Sequence, residues 1–89
     1  MNKVQRIPEV IWDQIDGETV LCHTGTGVFF TTNDIGALIW ELCDGLTSVK
    51  ILEELQKFYP QEDFQRLSAD VGHFIESLLD VGLIDIISD

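Results

Sequence analysis

Basic residues are scarce in this sequence. Five Lys and Arg stand against sixteen Asp and Glu, a formal net charge of −11. Nucleic-acid binding rests on neutralising phosphates with cations, and Lys3, Arg6, Lys50, Lys57 and Arg66 are scattered along the chain. No nucleic-acid partner is expected, and an anionic membrane surface is disfavoured for the same reason. Long apolar runs are missing too. The longest is a few residues, far short of the roughly 20 needed to span a bilayer. No basic-then-apolar leader opens the sequence. The expected setting is the cytoplasm, with no membrane partner. Cysteine is limited to Cys22 and Cys43, with no CxxC spacing. One disulfide stays open on this count, but a disulfide framework does not. The simplest reading of both is a small buried apolar side chain.

Recognised catalytic spacings are also lacking. "GTGVFF" (Gly25 to Phe30) holds a GxG but neither the third glycine nor the following helix of a phosphate loop. His23 and His73 are the two histidines, and no arrangement of them with the cysteines has the spacing of a zinc site. A Cys–His nucleophile pair is conceivable between Cys22 or Cys43 and either histidine, but nothing in the sequence places them together, and Cys22 and His23, adjacent on a strand, point to opposite faces. Glu41, Glu53, Glu54, Glu76 and Asp80 fall on the polar sides of helices and read as solvated. No catalytic residue, metal or cofactor is assigned. Function has to be sought in surfaces.

What is present is enough for one domain over residues 1–89. The sequence is 45% hydrophobic, too apolar for a disordered chain, and at this length ~60–65% of the unfolded surface is buried on folding. The first assigned element is a strand, Val10 to Ile15. Asp16-Gly17 is the signal of a two-residue hairpin turn. Thr19 to His23 is a second strand, "TGTG" a glycine turn, and Val28 to Thr32 a third strand, completing an antiparallel meander. Three helices follow. The first is capped at Thr32 or Asn33, carries Ile35, Leu38, Ile39 and Leu42 on one face, and stops at Gly45. The second is capped at Thr47 or Ser48, carries Ile51, Leu52, Leu55, Phe58 and Tyr59, and ends before Pro60. The third is capped at Asp63, carries Leu67, Val71, Phe74, Ile75 and Leu78, and closes at Gly82. Leu83 to Ile87 is a candidate short terminal strand. Three strands followed by three helices make a small α+β domain.

One surface stands out. The third strand comes last in the meander, which predicts that it lies at an edge. Exposed edges are normally blunted with charge or proline, and "VFFTT" has neither. Its composition suits the addition of an incoming strand. Val28, Phe29, Phe30, Thr31 and Thr32 are therefore candidate binding residues. A second wall is expected from the flank of the third helix: Arg66, Asp70, His73 and Ser77, with Phe74 at the border. Adjacent Phe29 and Phe30 point to opposite faces, and which of them turns to such a groove is open. The competing reading has both packed inside, one under a helix and one against the terminal strand.

The same residues resemble the PqqD-like family of peptide-recognition domains. The family pattern is met by Asp16-Gly17-Glu18, Val20-Leu21, Gly27, Phe29-Phe30, Asn33, Ile39-Trp40-Glu41-Leu42 and Asp44-Gly45, and later by Asp70, Val71 and Phe74. Thr32 departs from it, standing where an aliphatic residue is frequent. The resemblance covers Trp12 to about Ile86. It implies a winged-helix-like fold with a three-stranded sheet and three helices. It also implies binding of the leader segment of a ribosomally made precursor peptide, added as a strand beside the third strand and against the third helix. On that reading the outward phenylalanine helps to line the leader groove. The implied partners are a precursor leader peptide and a modifying enzyme such as a leader peptidase. Two branches are open: lasso-peptide maturation, which the "DGETVL" and "VFF" stretches favour, and service to a radical enzyme in pyrroloquinoline quinone synthesis. An accessory enzyme subunit that uses no peptide groove is a further alternative. A DNA-binding winged helix would need a basic recognition helix, whereas Asp63 to Val81 holds one Arg with Asp63, Asp70, Glu76 and Asp80.

Overall fold

The computed structural model describes residues 2–88. The strands are β1 (Asn2–Arg6), β2 (Val10–Ile15), β3 (Glu18–His23), β4 (Phe29–Thr32) and β5 (Ile84–Ser88). The helices, between β4 and β5, are α1 (Asp34–Leu42), α2 (Ser48–Phe58) and α3 (Phe64–Asp80). β2, β3 and β4 form the expected antiparallel meander, in that order. The β2–β3 turn has Asp16 and Gly17 both at positive φ, 53° and 81°, the backbone of a type I′ hairpin whose twist matches that of its strands. The five-residue loop before β4, Thr24 to Val28, turns on Gly27 at φ 76°. Inside it His23 Nδ1 accepts hydrogen bonds from the Gly25 and Thr26 N–H groups, at 3.0 and 3.1 Å. The imidazole serves there as a backbone cap.

The α+β class and the three helices are as the periodicity indicates. Asn33 caps α1 through Oδ1, which accepts from the Gly36 N–H; Thr47 caps α2 and Asp63 caps α3. Three details differ from expectation. The buried face of α1 is centred on Gly36, Ile39, Trp40 and Cys43, while Ile35, Leu38 and Leu42 are half-buried at its margin. The helix is rotated so that its largest side chain, Trp40, goes inward, and Trp40 is fully buried. Phe58, assigned to the α2 stripe, is instead 60% exposed, because α2 ends there and Tyr59 turns inward in its place.

The third difference is a strand with no sequence signal. β1 pairs antiparallel with β5, Asn2 opposite Ser88 and Arg6 opposite Ile84, in a second, two-stranded sheet. The helices are thus bracketed by strands rather than placed after them. The outer side of β1 is tied to the loop after α1: Val4 N–H donates to Leu46 O, and Gly45 N–H to Val4 O. Arg6 fixes the corner. Its guanidinium lies 5.0 Å from the Trp12 ring and 5.4 Å from that of Trp40, and it pairs with Asp44 at 3.8 Å. A two-stranded ribbon alone is marginal in water. This one is held because Val4 and Ile84 join the core of Val10, Leu21, Ile39, Trp40, Ile51, Leu55, Leu67, Val71, Leu78 and Leu83.

Candidate functional site

The last strand of the meander is an open edge. Among the described residues β4 pairs with β3 alone. His23 N–H donates to Val28 O at 2.9 Å, and the register pairs Leu21 with Phe30 and Thr19 with Thr32. Backbone direction alternates along an antiparallel ladder. The N–H and C=O groups of Phe30 and Thr32 therefore point at β3, and those of Phe29 and Thr31 point away from it. The opposite edge of the sheet is partly capped. With the tight turn at Asp16-Gly17, the outward residues of β2 are Val10, Trp12 and Gln14. Val10 N–H is taken by Ile7 O and Gln14 N–H by Asp13 Oδ1. The two edges differ in degree: on β2 the chain itself caps two of the three outward N–H groups and leaves that of Trp12, whereas on β4 the outward backbone is free.

The open edge borders a cavity of about 380 Å³ between the β4–α1 junction and α3. Arg66, Asp70, His73, Phe74 and Ser77 line it from α3, and Thr32 from β4. Arg66, Asp70, His73 and Ser77 follow one another at intervals of three or four residues, so they share one side of the helix. The structure thus brings six of the sequence-predicted residues to one recess. The other wall escaped sequence reasoning: Asn33, which caps α1, and Ile35, Gly36 and Ile39 from its first turns. The available signal was Gly36, a glycine inside a helix, which is disfavoured unless packing demands it. A Cβ at Gly36 would collide with Thr32 Oγ1 and come within 2.9 Å of Phe74 Cε1. Gly36 lets α1 approach β4 and α3 closely enough to form the recess.

The phenylalanine pair splits. Phe30 turns to the helices and meets Phe74 edge to face, ring centroids 5.9 Å apart, a favoured aromatic geometry. Phe29 is 69% exposed. The reading with both rings inside is therefore wrong. Nor does Phe29 line the recess. It continues a row across the outer face of the sheet, Ile11 beside Cys22 beside Phe29, on the side away from the helices. Thr31 shares that outer face, and Val28 is half-buried just before β4.

Cys43 is fully buried and unpaired, and its Sγ lies 3.3 Å from Trp40 O. Burial pushes its thiol up from 9.0 to about 11, which keeps it from becoming a nucleophilic thiolate near neutral pH. Cys22 is also free, on the outer sheet face. Among the described residues no cluster of His, Cys, Asp and Glu is placed to hold a metal ion, and no helix is long and apolar enough to cross a membrane.

Two solved structures share this architecture. TbiB1 in complex with the TbiA(beta) leader peptide is 27% identical, with TM-score 0.77 over 96% of this chain and 99% of that one. A lasso peptide synthetase B1 complexed with the leader peptide is 25% identical, with TM-score 0.74 over 93% and 98%. No curated protein matches the chain. The family model described as coenzyme PQQ synthesis protein D (PqqD) matches residues 18–84, from the start of β3 into β5. With three quarters of its length matched, the chain belongs to the PqqD family.

Proposed function

We propose that this protein captures the leader segment of a ribosomally synthesised precursor peptide and presents it to a maturation enzyme in lasso-peptide biosynthesis. The observation that carries the reading is the pairing of an uncharged open edge, β4, with a recess beside it on α3. An extended peptide laid along β4 bonds to the outward N–H and C=O groups of Phe29 and Thr31. Its alternate side chains then fall into the recess, against Thr32, Arg66, Asp70, His73, Phe74 and Ser77. The others lie on the outer face, beside Phe29 and Thr31. Val28 and Phe30 act from behind, setting the strand. Backbone pairing supplies affinity and pockets for alternate side chains supply specificity. Both solved relatives hold a leader peptide, and both are near full-length matches, which supports the lasso branch over service to a radical enzyme.

The role needs no chemistry of its own. A flexible leader held on the domain raises the effective concentration of the attached precursor at a partner enzyme, such as a leader peptidase. Nucleic acid is a poor alternative ligand, since α3 carries Asp70, Glu76 and Asp80 with a single Arg and the whole chain is strongly acidic. The test is a fluorescence-polarisation titration. Its probes are leader segments of lasso-type and quinone-type precursors encoded beside this chain, with a duplex DNA control. Saturable binding of the lasso-type leader that persists at 150 mM salt is expected. Binding of the quinone-type leader alone would move the assignment to that branch. A folded protein that binds neither would make it an accessory subunit.

A further inference from the structure

The cations of this acidic chain are mostly neutralised within it. Arg6 pairs with Asp44, Lys50 with Glu53 and Glu54, and Lys57 with Glu54. Arg66 differs. It is exposed on the rim of the recess, and among the described residues it has neither an ion pair nor a hydrogen bond. Asp70, one turn further along the same wall, is half-buried and equally unpaired. A guanidinium presents a planar fork suited to bidentate contact with a carboxylate, and among the described residues no carboxylate is paired with it.

Spacing gives these two charges a meaning. Residues four apart on a helix rise by roughly 6 Å. An extended peptide returns a side chain to the same face about every 6.6 Å. Consecutive inward side chains of a strand lying along α3 would therefore meet Arg66 and Asp70 in turn. Building on the peptide-capture reading above, we infer that Arg66 and Asp70 select a charge pattern in the captured peptide. An acidic residue faces Arg66, and a basic or hydrogen-bond-donating residue two positions away faces Asp70. The pattern runs against the bulk field. A protein of net charge −11 attracts basic peptides at long range, so a preference for acid at one position has to come from a local cation.

The experiment selects dodecapeptides from a random display library on the wild-type protein, on Arg66→Ala and Arg66→Glu, and on Asp70→Lys. Arg66 is exposed and unpaired, so its variants should melt with the wild type. In wild-type selections Asp and Glu should be enriched about fivefold over Lys and Arg at a single position, the scale of a partly exposed charge-assisted contact. Lys, Arg, Ser, Thr or Asn should be enriched two positions away. Arg66→Ala should flatten the first preference and Arg66→Glu should invert it at that same position. Asp70→Lys should invert only the second. An acidic preference unchanged in Arg66→Glu, or acid enriched nowhere among peptides that do bind, overturns the inference and leaves peptide capture standing. A wild-type protein that enriches no peptide overturns both.

Discussion

At the scale of single residues, the recess depends on the missing side chain of Gly36. In a helix interior, alanine normally gains roughly 0.5–1 kcal/mol over glycine. Here the added methyl would meet Thr32 and Phe74, and overpacking of this kind costs about 1–3 kcal/mol. The clash should win, so Gly36→Ala is expected to lose about 1 kcal/mol in urea unfolding and to weaken leader binding together with it. A variant more stable than wild type that binds normally would show that the approach of α1 to α3 is not tight. In the sequence Gly36 signals at most a close approach, as a glycine in a helical pattern, and does not say to what. Its role exists only because Thr32 and Phe74 come to it from two other elements. The phenylalanine pair was half legible. Strand alternation requires that Phe29 and Phe30 diverge, but which one faces the helices depends on pairing Leu21 with Phe30.

At the scale of elements, the two edges of the three-stranded sheet differ in hydrogen bonding. On β2 the Ile7 carbonyl and the Asp13 carboxylate occupy outward N–H groups. On β4 the outward N–H of Thr31 is left for a partner. Proline there removes that donor while sparing the ladder to β3. Thr31→Pro should therefore fold with a circular-dichroism melt close to wild type, yet bind leader about tenfold more weakly, the effect of one lost hydrogen bond in the pairing. Phe30→Pro is the contrast, since it deletes a donor to β3 and should unfold the hairpin. Tight binding by a folded Thr31→Pro protein would exclude backbone pairing at that position. The hairpins themselves were readable from Asp16-Gly17 and the glycines before β4. β1 was not, because Asn2–Arg6 buries only Val4 and its partner β5 lies at the other end of the chain.

For the molecule as a whole, the governing quantity is the charge. Sixteen carboxylates against five cations place the folded state under self-repulsion, which compactness worsens. Salt screens it, with a Debye length of about 30 Å at 0.01 M and about 8 Å at 0.15 M. Raising sodium chloride from about 10 to about 200 mM should therefore raise the melting temperature, by a few degrees for a domain of this size. A flat or falling melting temperature would mean that the local pairs around Lys50, Lys57 and Arg6 outweigh the general repulsion.

The sequence by itself determined the kinds of element, most of their boundaries, the acidity of the surface and an uncharged third strand of the meander. Each of these follows from neighbouring residues: hydrophobic period, caps, turn glycines and the count of charges. Only the tertiary structure decided that β4 is left as an open edge, and that Phe30 faces inward while Phe29 lies on the far side. It also decided that α1 supplies the second wall of the recess, and that β1 and β5 pair as a ribbon. Those features arise from contacts between segments distant in sequence. Local preference leaves the mutual placement of such segments undetermined, and packing of the shared core around Trp40 and Leu21 fixes it.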